Sequence, residues 1–181
     1  MLRTVSLIGE KLSNHNVTWG IGGSLLLKFY NIIDKPNDID ILVNEAHITK
    51  FNEIISSFGT QKKALRSDPF RTTNFTKYKI NGIDIDVMAG FAIQHNKGIY
   101  KLDLQPESIT AYRKVHGIDI PLCFLEDWYI LYWLIPKKKD KALLIENYFK
   151  TNGITHPQLL EEALKQPLPN EVRLRVEKLL I

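Results

Sequence analysis

Two stretches of this chain alternate an acid with an aliphatic residue, and that alternation limits what either can become. Asp38-Ile39-Asp40-Ile41-Leu42-Val43 and Ile83-Asp84-Ile85-Asp86-Val87-Met88 repeat with period two, the period of an extended strand, in which successive side chains leave opposite faces. The first then presents Asp38 and Asp40 on one face and Ile39, Ile41 and Val43 on the other. The second presents Asp84, Asp86 and Met88 opposite Ile83, Ile85 and Val87. If both strands lie in one sheet with their isoleucines on the core, the carboxylates share one strongly anionic surface. Asn81-Gly82 is a strong hairpin signal and pairs Asn74–Ile80 with the second stretch.

The pattern extends in both directions. Leu2, Val5, Ile8 and Leu12 recur at helical spacing until Ser13-Asn14-His15-Asn16 breaks it, predicting an opening amphipathic helix. Val17–Ile21 is short and β-prone and runs through Gly22-Gly23-Ser24 into the apolar Leu25–Tyr30, so strand, glycine turn and helix are expected in succession. A helix from about Ile48 to Phe58 stops at Gly59, and Gln61–Phe70 is basic and irregular, with no element assigned. Residues Ala89–Arg113 carry mixed signals. Ile118-Asp119-Ile120-Pro121-Leu122 reads as a short edge strand, where a sheet tolerates proline. Helices are predicted at Leu125–Ile135, Asp140–Phe149, Pro157–Leu164 and Asn170–Leu180. The third opens on Thr155-His156-Pro157-Gln158, which resembles a capping box with proline in the first helical position. The succession predicts an α+β fold: a mixed β-sheet flanked by helices over residues 1–123, with a small C-terminal helical region, 124–181, packed on it.

At 181 residues the chain has the size of one compact domain, and 44% apolar with 24% charged residues excludes disordered and fibrous classes. The longest apolar run, Trp128–Ile135, is far short of the ~20 residues of a membrane-spanning helix. Met1-Leu2-Arg3-Thr4 does not begin a secretory signal, so a soluble cytoplasmic protein with no membrane partner is expected. The single cysteine, Cys123, has no companion for a disulfide or zinc ribbon and is expected in the core. A formal charge of +4 suits a polyanionic partner without establishing one.

Three or four carboxylates at one place repel one another and raise one another's pKa unless cations compensate, which points to hard divalent ions, magnesium first among them. Two such ions about 3.5–4 Å apart hold both the attacking and the leaving oxygen of an in-line phosphoryl displacement. An isolated Asp-x-Asp is ordinary on a half-exposed strand, and a glycine pair is ordinary in a tight turn. Together they say more, because a glycine corner leading into a helix lets backbone N–H groups approach a phosphate.

Gly22-Gly23-Ser24 at a strand-to-helix turn, Asp38-Ile39-Asp40 at a strand start and Asp86 within an apolar-Asp-apolar triplet together resemble the nucleotidyltransferase superfamily of DNA polymerase beta type. The resemblance covers Val17–Met88 and is to minimal members, including abortive-infection-type toxin and small antibiotic nucleotidyltransferases. It implies that Asp38, Asp40 and Asp86 hold two magnesium ions on a nucleoside triphosphate, while Ser24 and the backbone of Gly22 and Gly23 hold its β- and γ-phosphates. The second ion would make an acceptor hydroxyl more acidic, and that hydroxyl would attack the α-phosphorus and release pyrophosphate. Asp84 also fits the third-acid pattern; Asp86 is preferred because it lies deeper in the strand, away from Asn81-Gly82.

Small members of the superfamily often place a basic residue near the start of the corresponding C-terminal helix, so the resemblance implies one of Lys139 and Lys141 as a candidate phosphate ligand. A solvated loop, Lys137-Lys138-Lys139-Asp140-Lys141, is the plain alternative. Of Trp128, Tyr129, Tyr132 and Trp133, most are expected in the core, with one available to stack on a base. Arg66 and Arg71 fit a nucleotide or nucleic-acid contact and a solvated loop equally well. The acceptor is left open among a small molecule, a protein and an RNA end. A competing expectation is a catalytically silent nucleotide- or partner-binding module of the same fold, such as one half of a toxin–antitoxin pair.

Overall fold

The computed structural model describes residues 1–64 and 67–181. In chain order its elements are α1 (Leu2–Leu12), β1 (Trp19–Ile21), α2 (Gly23–Phe29), β2 (Ile39–Val43), α3 (Ile48–Ser56), β3 (Thr60–Lys62), β4 (Asn74–Ile80), β5 (Ile83–Ala89), β6 (Phe91–His95), β7 (Gly98–Leu102), β8 (Ala111–Val115), β9 (Ile118–Leu122), α4 (Leu125–Leu134), α5 (Lys139–Asn152), α6 (Pro157–Leu164) and α7 (Asn170–Leu179). Seven strands make one mixed sheet in the order β3-β4-β5-β2-β1-β9-β8. Within it β2 runs parallel to β5 and antiparallel to β1. β4 and β5 form the antiparallel hairpin that Asn81-Gly82 predicts, and both turn residues take positive φ, 50° and 79°. The aliphatic half of the alternation is where period two places it: Ile39, Ile41, Ile85 and Val87 are wholly buried.

The helices follow the apolar patterns closely. α1 buries Val5, Ile8 and Leu12. Every residue of α4 is buried except Asp127, and a helix apolar on all sides belongs in the interior. It packs against α2, α5 and α6 and so ties the C-terminal helices to the sheet. Cys123 lies in the core, as expected. No helix among the described residues is long and apolar enough to cross a membrane.

Three features differ from the sequence expectation. β9 is not an edge strand, because β8 pairs with it on one side and β1 on the other. Pro121 is tolerated there because the ladder to β1 registers only Ile21 with Leu122, leaving the missing N–H outside it. Thr155 does not cap α6, whose N-cap is His156 with no side-chain cap bond. The buried Glu126 of α4 instead accepts from the backbone N–H groups of Thr155 and His156, at 3.0 and 2.9 Å. Finally, the stretches without an assigned element hold β3 and a separate β6–β7 hairpin, which is tied to the chain before β4 by a bridge between Phe70 and Ile93. Short strands of this kind carry too few residues for a period to show.

Candidate active site

Asp40 on β2 stands directly opposite Asp86 on β5, and Asp86 stands opposite Lys77 on β4. Neighbouring strands are about 4.8 Å apart, so this row brings two acids and a lysine side by side from three separate segments. Asp38, just before β2, completes the acidic set; it and the three residues of the row all line one cavity of about 330 Å³. The opposite wall comes from α4 and from the turn into α5: Trp128, Tyr132, Lys138 and Lys141. Asp84, the alternative third acid, is two-thirds exposed and pairs loosely with Lys79 at 3.8 Å, away from this row.

The glycine corner is packed around the acids. Gly23 has φ +58°, and a Cβ there would stand 1.7 Å from Asp40 Oδ2, while one on Gly22 would stand 2.1 Å from the Trp128 ring. The Gly22 N–H donates to the Asp40 carbonyl at 2.9 Å. Ser24 is buried; its hydroxyl accepts from the Asn37 N–H at 3.2 Å and donates to Asp38 Oδ1 at 3.4 Å. Thus Gly22, Gly23 and Ser24 form the support beneath Asp38 and Asp40 and are not themselves part of the cavity lining. Side chains larger than hydrogen would displace the carboxylate or the indole.

Burial, and then the charges of Asp38 and Asp86, push the Asp40 carboxyl up to about 7, with Lys141 and Lys138 opposing the rise. Asp86 is likewise raised by burial, against the pull of its hydrogen bond to Lys77 Nζ, which donates to Oδ2 at 3.0 Å. Burial and the neighbouring Lys138 lower Lys141, while Asp40 and Asp38 raise it. A site in which Asp40 and Asp86 are pushed up and Lys141 is pushed down favours a ligand that brings both negative charge and cations.

Among the described residues no three His, Cys, Asp or Glu side chains form a group ready to hold a metal. The donor set nevertheless suits magnesium in kind, since it is all carboxylate oxygen, and the repulsion that raises Asp40 is what a divalent cation relieves. Lys77 supplies part of that positive charge at Asp86.

Lys141 lines the cavity, 5.3 Å from the centre of the Tyr132 ring, and Lys138 lines it too. Lys139 turns away, pairing with Glu171 at 2.9 Å and lying over Trp133. Trp128 and Tyr132 face the cavity, whereas Tyr129 donates to the buried Glu146 and Trp133 lies under Arg175. Arg71 pairs with Asp68 at 2.7 Å, and Arg66 lies outside the described residues. Sequence reasoning missed Lys77, although a two-residue Asn81-Gly82 turn allows its register to be counted back from Ile80 opposite Ile83 to Lys77 opposite Asp86. It also missed Phe70, Phe75 and Phe91 as lining residues. A larger groove, about 810 Å³, runs between α5 and α7. Its acids Glu146 and Glu171 are already paired with Lys150, Arg175 and Lys139, and none of Asp38, Asp40 and Asp86 lines it.

No family model and no curated protein matches the chain. Solved structures do. A protein from Thermotoga maritima, provisionally assigned as a nucleotidyltransferase, superimposes with a TM-score of 0.62 at 24% identity, over 83% of this chain and 93% of that one. The antibiotic-resistance factor ANT(2'')-Ia, solved in complex with adenylyl-2''-tobramycin, gives 0.57 at 12% identity over 98% and 97%. The lincosamide antibiotic adenylyltransferase LnuA, with lincomycin bound, gives 0.53 at 12% over 80% and 95%. At these identities the likeness is one of fold, and the fold is nucleotidyltransferase-like.

Proposed function

We propose that a chain with this nucleotidyltransferase-like fold transfers a nucleoside monophosphate group from a nucleoside triphosphate to a hydroxyl acceptor. The observation that carries this is the convergence of Asp38, Asp40 and Asp86 on one cavity whose far wall bears Lys138 and Lys141. The acids suit the metal-bound α-phosphate side of a triphosphate, and the lysines suit its β- and γ-phosphates. Asp38, Asp40 and Asp86 would hold magnesium, two ions in the full scheme, which supplies charge neutralisation and Lewis acidity at the triphosphate. Gly22, Gly23 and Ser24 keep Asp38 and Asp40 in place. Asp86, raised by burial, is suited to take the proton of the acceptor hydroxyl as its oxygen bonds to the α-phosphorus and the α–β bridging oxygen departs with pyrophosphate. Lys138 and Lys141 stabilise that leaving group.

The ion pair between Lys77 and Asp86 favours a second reading, a nucleotide- or partner-binding module without turnover, such as one half of a toxin–antitoxin pair. Magnesium-dependent pyrophosphate release, measured for each nucleoside triphosphate with and without cell extract as acceptor source, separates the two. Release that disappears in Asp40→Asn supports transfer; nucleotide binding with no release supports the silent module.

A further inference from the structure

One row beyond the acids, the same sheet face turns apolar. Two residues on from Lys77 and Asp86, Phe75 pairs with Met88 across β4 and β5, and a two-residue step along a strand is about 7 Å. Phe70 and Phe91 meet edge to face with ring centres 6.1 Å apart, and all four side chains line the cavity that holds Asp86. Met88 and Phe91 are buried, and Phe70 and Phe75 are half-buried. The four make a packed ledge with two rings at its open rim.

We propose that this ledge seats the acceptor, and that the acceptor is a hydroxyl compound with an apolar or aromatic body and no positive charge. The proposal rests on the transfer reading above and narrows its substrate class. Charge decides the class. Among the described lining residues, three carboxylates meet three lysines, Lys77, Lys138 and Lys141, so no acid is left over to receive an ammonium group. Asp86 already holds Lys77, Asp38 and Asp40 are the nucleotide's own ligands under this reading, and the ledge has no carboxylate. Lys77 Nζ also lies 5.3 Å from the centre of the Phe75 ring, so one face of that ring already holds a cation, whose like charge opposes a second one nearby. A polycationic sugar would set its ammonium groups against three lysines with no carboxylate left to pair with them. An uncharged compound can lay an apolar ring on Phe75 and Met88 and still reach Asp86 with a hydroxyl about one sugar ring away.

Saturation-transfer NMR tests this on the full chain with magnesium and α,β-methylene-ATP, using phenyl β-glucoside as the neutral probe and tobramycin as the polycationic one. Phenyl protons should receive saturation while the nucleotide analogue stays bound. Phe75→Ala should weaken the glucoside roughly fivefold, and Phe75→Leu should retain most of the binding. Three results would overturn the proposal: tobramycin binding as tightly as the glucoside, binding indifferent to Phe75→Ala, or displacement of the glucoside by the analogue, which would make the ledge the nucleobase's. If the analogue fails to bind while the glucoside still binds in a Phe75-dependent way, the ledge stands and the transfer reading falls.

Discussion

Replacing Asp40 with Asn should stabilise the fold, and the gain should grow with pH. The Asp40 carboxyl is pushed from an ordinary 3.8 to about 7, first by burial and next by the charges of Asp38 and Asp86. With its native pKa raised, the folded chain keeps a proton that the unfolded chain has already released. Asp40 therefore lowers stability progressively as pH climbs from about 4 to about 7, after which the effect levels off. Roughly three pKa units at ~1.4 kcal/mol each set a ceiling of about 4 kcal/mol, of which about 2–3 kcal/mol develops between pH 5 and pH 8. Asparagine has no charge to bury, so urea unfolding should show the advantage of Asp40→Asn widening by that amount between the two pH values. Excess magnesium at pH 8 should narrow it again, because a bound cation restores the favoured charged form. An advantage that stays constant across pH would refute this account of the acidic row.

Gly23→Ala should lose about 1–3 kcal/mol in chemical denaturation and most nucleotide binding, since its Cβ would collide with Asp40 Oδ2 at a φ of +58°. Unchanged stability would show that the corner yields easily. Lys77→Met should bind manganese a few-fold more tightly by electron paramagnetic resonance, because it frees Asp86 from a competing cation; weaker binding would make Lys77 a positioning residue. Glu126→Ala should leave the Thr155 and His156 N–H groups unpaired and cost about 1–3 kcal/mol. Hydrogen exchange should then show α6 opening first, and uniform loss of protection would contradict a local anchoring of the chain that enters α6.

Much of the candidate site was readable in the chain because its signals are local. Period two puts Asp38 and Asp40 on one face and Asp86 on one face, and the Asn81-Gly82 turn sets the register that pairs Lys77 with Asp86. The helices were equally legible, since each carries its own apolar stripe or, in α4, an apolar surface all round. Pro121, by contrast, marked an edge that does not exist, and Thr155 marked a cap that does not form, its own N–H being held instead by Glu126 from 29 residues away. Both depend on which element lies alongside, a matter no local pattern records.

Sequence alone therefore determined which face each acid occupies, because backbone geometry alternates side chains whatever surrounds them. Only the tertiary structure decided that β2 lies beside β5, that Lys138 and Lys141 close the cavity while Lys139 turns to Glu171, and that the glycine corner yields its space to Asp40 and Trp128. Those are contacts between segments far apart in the chain, and packing of the whole core selects them.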